Sequence, residues 1–212
     1  MDAVKAKAPR TPLARMLAEP TTATRVTALD AFALAQQKWL AGERLEIGKL
    51  ADELGVGRAT VFRWVGSREQ LYGEVVSAAF GQSIEWARRA SRERKGAAFL
   101  TDVTKNLLST LSKSTPLRAF IQHDAEFALR IVMSSQSPVE TRVIAAVRAL
   151  IVGEVEAGHL QPAIDIDSLA YVIVRIAESF LYRDVLTGDP PDVATATKAI
   201  GMMFAAQARK TR

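Results

Sequence analysis

The chain has 212 residues, 49% of them apolar and 24% charged, with a net charge of +5 and no cysteine. That length allows one large domain or two small ones, and the lack of cysteine excludes disulfides, thiolate metal sites and cysteine nucleophiles, as expected for a reducing, cytoplasmic setting. No apolar run approaches the ~20 residues of a membrane span; the longest, Leu169 to Ala177, is interrupted by Arg175, and the prolines after Lys5, Lys7 and Arg10 leave no apolar stretch for a secretory leader.

Charge is unevenly spread. Residues 1–100 hold 16 Lys and Arg against 11 Asp and Glu, a net +5, whereas residues 101–212 hold 12 of each. The first half therefore suits a polyanion partner, or carries a merely solvated basic surface. Residues 1–23, with Pro9, Pro12 and Pro20 among basic and small residues, are expected to form a flexible basic arm. Such an arm either reaches along a DNA groove or is a ragged terminus, the commoner case. A helix is predicted from a Thr24 cap to Ala41, stopped by Gly42, with Val26, Leu29, Phe32, Ala33, Gln36, Trp39 and Leu40 recurring at helical spacing.

The most telling stretch follows, EIGKLADELGVGRATVFRWVGSREQLY over residues 46–72. It reads as two short helices, Ile47 to Leu54 and Arg58 to Val65, joined at Gly55, where the chain must turn through a positive φ. Ala51 is small enough for a close crossing, Val61 can plug the angle between the helices, and Leu50, Leu54, Val56 and Trp64 supply apolar contacts. This is helix-turn-helix spacing, in which the second helix enters the major groove. On that helix Val61, Trp64 and Val65 share the inner face, which leaves Arg58, Ala59, Thr60, Phe62 and Arg63 outward. Arg suits bidentate contact with guanine, and Ala and Thr methyls suit the thymine methyl. Arg44, Lys49 and Arg68 are the phosphate-contact candidates, Arg68 because it lies in the first turn of the next helix. A three-helix module for protein contacts is the bland alternative.

Ser67, with Gln70 three residues on, predicts a capping box opening that next helix. Leu71, Val75, Ala78, Ala79 and Trp86 hold one face of it to about Ala90, and the basic run Arg88 to Lys95 ends at Gly96. Beyond lie helices over Ala97 to Leu111, from Pro116 to Met133 with a break near His123 and Asp124, from Pro138 to Ala157, from an Asp167 cap to Thr187, and from Pro191 to about Ala208. The chain is thus predicted to be all-α, with about nine or ten helices.

The ALDAF of the first helix and LADELGVGRATVFRWVGSREQLY together resemble the TetR family of one-component transcriptional regulators over about residues 24–75. SPVETRV, LAYVIVRIAESFLYRD and the GDPPD segment resemble its QsdR-type branch. Three positions depart from the family pattern: Gly57 stands where a Ser or Thr often caps the reading helix, Phe62 where a tyrosine is usual, and Arg68 where a lysine opens the next helix. A glycine cap costs a few tenths of a kcal/mol relative to Ser. The resemblance implies a DNA-binding domain over 24–72, a connecting helix over 73–96, and an effector-binding and dimerisation domain over 97–212. It also implies a homodimer on a near-palindromic double-stranded DNA operator, released by a small apolar or lactone-like effector, with no cofactor.

Within the second half, Ser168, Tyr171, Arg175, Glu178, Ser179 and Tyr182 form a polar stripe on an otherwise apolar helix, and Arg175 and Glu178 are spaced to pair. Buried charge must be paired or solvated, so the stripe faces a cavity, a partner or water. Trp86, Phe99, Leu107, Phe120, His123, Phe127 and Met133, for which ordinary core is the commoner reading, join Tyr171, Arg175, Glu178 and Tyr182, whose bland readings are an interface ion pair or an exposed face, as effector-contact candidates. Small residues beside Ala199, Ile200, Met203 and Phe204 suit either a close helix pairing across a dimer, which makes these four the dimer-interface candidates, or an ordinary core helix. With only two histidines, no cysteine, and no G-x-S-x-G or phosphate-loop spacing, the chain is not expected to be an enzyme. The competing function is a ligand-independent architectural or adaptor protein.

Overall fold

The computed structural model describes residues 11–18, 26–134 and 137–206, and twelve helices among them. α1 (Pro12–Ala18), α2 (Ala28–Leu40), α3 (Ile47–Glu53) and α4 (Arg58–Val65) precede the long α5 (Arg68–Ala90). Then come α6 (Gly96–Ser112), α7 (Thr115–His123), α8 (Ala125–Met133), α9 (Pro138–Glu156), α10 (Ile166–Leu181), the single turn α11 (Arg183–Leu186) and α12 (Val193–Ala206). No helix among the described residues is long and apolar enough to cross a membrane.

Two of these helices exceed the expected nine or ten. α1 falls inside the stretch expected to be a flexible arm, and Leu13 on it is fully buried against the first core. Its start has a legible signal in retrospect: the Thr11 hydroxyl accepts from Ala14 N, and Pro12 takes the first helical position, where no N–H is missed. The rest of the expected arm lies outside the described residues. α11 exists because the predicted helix to Thr187 breaks at Tyr182, whose φ and ψ leave the helical region.

Several ends also differ from expectation. Thr24 lies outside the described residues, and α2 is capped by Thr27 in a full capping box with Asp30. At α5 only the Ser67 side of the expected box forms: its hydroxyl accepts from Gln70 N, while Ser67 N donates to Val65 O. α10 is capped by Asp165 rather than Asp167, and α12 starts at Val193 behind an Asp192 side chain that accepts from Thr195 N. The Asp124 break is present, the residue ending α7 and capping α8.

Two hydrophobic cores share α5. The first joins α1 to α5 with α7, α8, the ends of α9 and α10, Leu108 of α6 and Ala196 of α12. The second joins the far end of α5 with α6, α9, α10 and α12. α5 touches the first turn of α9 at Gly73, where an added Cβ would lie 2.8 Å from Pro138 Cγ. One turn on, the buried Glu74 takes both guanidinium nitrogens of Arg142, at 2.6 and 3.1 Å.

Candidate functional site

The turn between α3 and α4 is made at Gly55, with φ +65°. Leu50 and Ala51 on α3 and Val61 and Val65 on α4 are buried together, which fixes the crossing of the two helices. Trp64 packs partly against the same core. The periodicity of α4 then leaves Arg58, Ala59, Phe62 and Arg63 exposed and Thr60 half-buried, with Phe62 at 47%. Arg58 lies across α3 so closely that a Cβ on Gly48 would come within 2.5 Å of its guanidinium. Arg44 and Lys49 flank this surface and are exposed, Lys49 paired at 2.9 Å with the equally exposed Glu46. Seven of the eight predicted DNA-contact residues therefore sit around one outward face of α3, α4 and the loop before them.

Arg68, half-buried, lies at the edge of that face, where its charge acts on Glu46 together with those of Arg44 and Lys49. Its guanidinium stacks 4.5 Å from the Phe127 ring and 5.4 Å from the Tyr72 ring, and its Nε is buried. Both rings belong to a cluster with Trp39 and Phe120, in which Tyr72 and Phe120 stack at 4.6 Å. The Tyr72 hydroxyl accepts from Leu45 N at 2.8 Å, so this cluster also holds the segment entering α3. A guanidinium over an aromatic face is favoured by the ring quadrupole, which gives Arg68 a bracing contact that its reading as a phosphate contact did not include. Phe120 and Phe127 are correspondingly structural rings.

An apolar cavity of about 120 Å³ lies among α5, α6, α9 and α10. From α5 it takes Val76, Ala79, Phe80, Ser83 and Ile84; from α6, Leu100, Val103, Thr104, Leu107 and Leu108; from α9, Val143, Val147 and Leu150; and from α10, Ile173, Val174, Ala177 and Glu178, with Tyr182 just beyond. Among the predicted effector contacts, Leu107, Glu178 and Tyr182 line it. Phe99 is packed in the second core, Met133 is half-buried away from the wall, and Trp86, His123 and Tyr171 are exposed. The α5 wall was legible in part: Val76, Phe80, Ser83 and Ile84 fall at i, i+4, i+7 and i+8, a second stripe beside the one over Leu71 and Val75.

Arg175 sits behind the wall and holds two carboxylates, Glu178 Oε2 at 2.8 Å and Glu140 Oε1 at 3.1 Å, with its guanidinium 5.3 Å from the Tyr171 ring. The nitrogens and oxygens of the Glu178 pair are close without the angles of a hydrogen bond. Glu140, on α9, is 35 positions from Arg175, and no sequence pattern marks it as the partner. Burial pushes the Glu178 carboxyl up to about 7; Arg175 pulls it down and Glu140 adds to the rise. Burial, and then the Glu178 charge, push the Tyr182 hydroxyl above its ordinary range. The polar stripe thus divides: Glu178 and Tyr182 point inward, and Tyr171 and Ser179 outward.

The dimer-interface candidates divide as well. Ile200 and Phe204 are 0% and 2% exposed inside this single chain, locked into the second core. They cannot also meet a partner without leaving that core. Ala199 and Met203 are half-buried, and the open side of α12 shows Met202, at 61% exposure, with Ala205 and Ala206.

A model of the tetracyclin repressor-like C-terminal domain matches residues 95–205, just over half of the chain. Among solved structures, the chain is similar to the transcriptional repressor QsdR of the TetR family from R. erythropolis, with 27% identity, a TM-score of 0.79, and coverage of 87% of this chain and 97% of that one. It shares its fold with a candidate transcriptional regulator from Rhodococcus sp. RHA1, at 16% identity, TM-score 0.59, and coverage of 84% and 96%. The same holds for SmeT in its triclosan complex, at 17% identity, TM-score 0.51, and coverage of 86% and 90%. No curated protein matches the sequence. With the C-terminal match and the helix-turn-helix geometry in agreement, the chain belongs to the TetR family of transcriptional regulators.

Proposed function

We propose that this regulator is a homodimeric repressor that binds a near-palindromic operator through α4 and is released when a small molecule enters the cavity. In this reading residues 24–72 bind DNA, α5 connects, and the helices after residue 96 hold the effector and the dimer contact. The observation that carries it is the course of α5. One uninterrupted helix of 23 residues, about 34 Å long at 1.5 Å per residue, starts beside α4 and runs on to form a wall of the cavity. A molecule that fits better with α5 in a second position would shift the population toward it and carry α4 with it. Relatives support each half: QsdR is a transcriptional repressor, and SmeT is known with triclosan bound.

Pairing is assigned to the open sides of α10 and α12, where Tyr171, Val172 and Met202 are exposed apolar groups. Two α4 helices would then enter successive major grooves ~34–36 Å apart. Footprinting on the DNA upstream of the protein's own gene tests the proposal. Protection of two half-sites about one helical turn apart, by a species with the mass of a dimer, is expected. Uniform protection without half-sites contradicts it and favours an architectural protein.

A further inference from the structure

We propose that the cavity takes a compact apolar cation, of the class of a single-ring ammonium, with Glu178 as its counter-ion. This rests on the effector reading above and deepens it to a ligand class. The first argument is charge balance. Glu178 and Glu140 are each at least nine-tenths buried and share one guanidinium, that of Arg175. The neighbouring Glu74 and Arg142 already neutralise each other. One negative charge is left over in a place where charge must be paired, protonated or solvated.

The second argument is the polarity of the wall. The Ser83 hydroxyl donates to Ala79 O at 2.9 Å, and the Thr104 hydroxyl to Leu100 O at 2.8 Å. Their hydroxyl hydrogens are thereby engaged, while Trp39, Ser114 and Tyr182 on the same wall carry N–H and O–H groups able to donate. Glu178 is the one carboxylate among these lining residues, and it is the group that calls for a cationic donor in the ligand. The groups that face Glu178 are Arg175 on its own helix, Glu140 on α9 and the Tyr182 hydroxyl. Among the described residues, α5, α6, α8 and α12 add no ionisable side chain to the wall. The remainder is apolar, and about 120 Å³ is close to the ~150 Å³ that holds one benzene ring. Without a cation the excess charge is met by a proton, since burial first and the Glu140 charge after it push the Glu178 carboxyl up to about 7. A lactone-like ligand, an acceptor, would need that proton to stay.

The test is calorimetric titration of the full-length protein with benzylammonium and with neutral benzyl alcohol, at pH 6 and pH 8. A site that must lose a proton of pKa about 7 should bind benzylammonium about tenfold more tightly at pH 8. Glu178→Gln should lose at least tenfold, and Glu140→Gln, which lets Arg175 neutralise Glu178, should weaken binding too. Equal binding of the alcohol, a flat pH profile, indifference to both variants, or no binding of either probe overturns the inference. Operator affinity measured in parallel separates the two levels. If the alcohol binds and releases DNA while the ammonium does not, the cation fails and the effector-gated repressor stands. If the ammonium binds as expected and leaves operator affinity unchanged, the cation site stands and the gating fails.

Discussion

Arg63 and Arg68 flank the same turn and meet opposite environments, and their replacements should separate cleanly. Arg63 is exposed on the outer face of α4. Arg63→Ala should cost ~1–3 kcal/mol at the operator and relax base choice there, read by competition against operator variants; an equal loss on random DNA contradicts base reading. Arg68 is stacked on Phe127 and Tyr72. Arg68→Ala should lower thermal stability, by ~1 kcal/mol for a partly desolvated cation–π contact, and leave the salt slope of DNA binding alone. A slope reduced by about one unit would return Arg68 to the phosphate contacts. Glu178 makes a pH prediction. Its folded pKa of about 7 exceeds the ordinary 4.5 of a glutamate, so the folded state holds its proton more tightly, and stability falls as pH rises through that window. Allowing for solvent screening, the loss is on the order of 2 kcal/mol. Urea midpoints at pH 4.5 and 8 should differ more in the wild type than in Glu178→Gln; parallel behaviour contradicts the assignment.

At the scale of elements, the tightest joint is α5 against α9. Gly73→Ala puts a methyl 2.8 Å from Pro138 and must push the helices apart. A loss of ~1–3 kcal/mol, as for overpacking, is expected in chemical denaturation; no loss would mean that the joint is loose. Elements were legible in the sequence where the signal is local. Gly55, Ala51 and Val61 stand close together, and helical spacing alone assigned Val61 and Val65 inward and Phe62 and Arg63 outward. Asp124 was visible as a break because an Asp can end one helix and cap the next. What the sequence did not show depends on distant partners. Arg68 stacks on Phe127, which α8 delivers to it, and Arg175 beside the cavity-lining Glu178 is held by Glu140 on α9. The Ile200 and Phe204 stripe marks α12 as packed, and only α6 and α10 decide against what. α1 is the exception, a local signal in Thr11 and Pro12 masked by the prolines and basic residues around it.

For the whole molecule, the +5 net charge lies entirely in residues 1–100, the part that carries α4, and the cavity lies among the helices that follow. In the proposed reading, charge brings any DNA close and makes binding fall with salt, and the face of α4 tells one sequence from another. The measurement that bears most directly on this division is competition binding on the DNA upstream of the protein's own gene, run against random DNA across a range of salt. A regulator that reads bases through α4 should bind a near-palindromic site there ~10³-fold or more over random DNA, with both affinities falling as salt rises and the ratio persisting. Binding that is steep in salt and indifferent to sequence, on that DNA and on every other fragment, would contradict it.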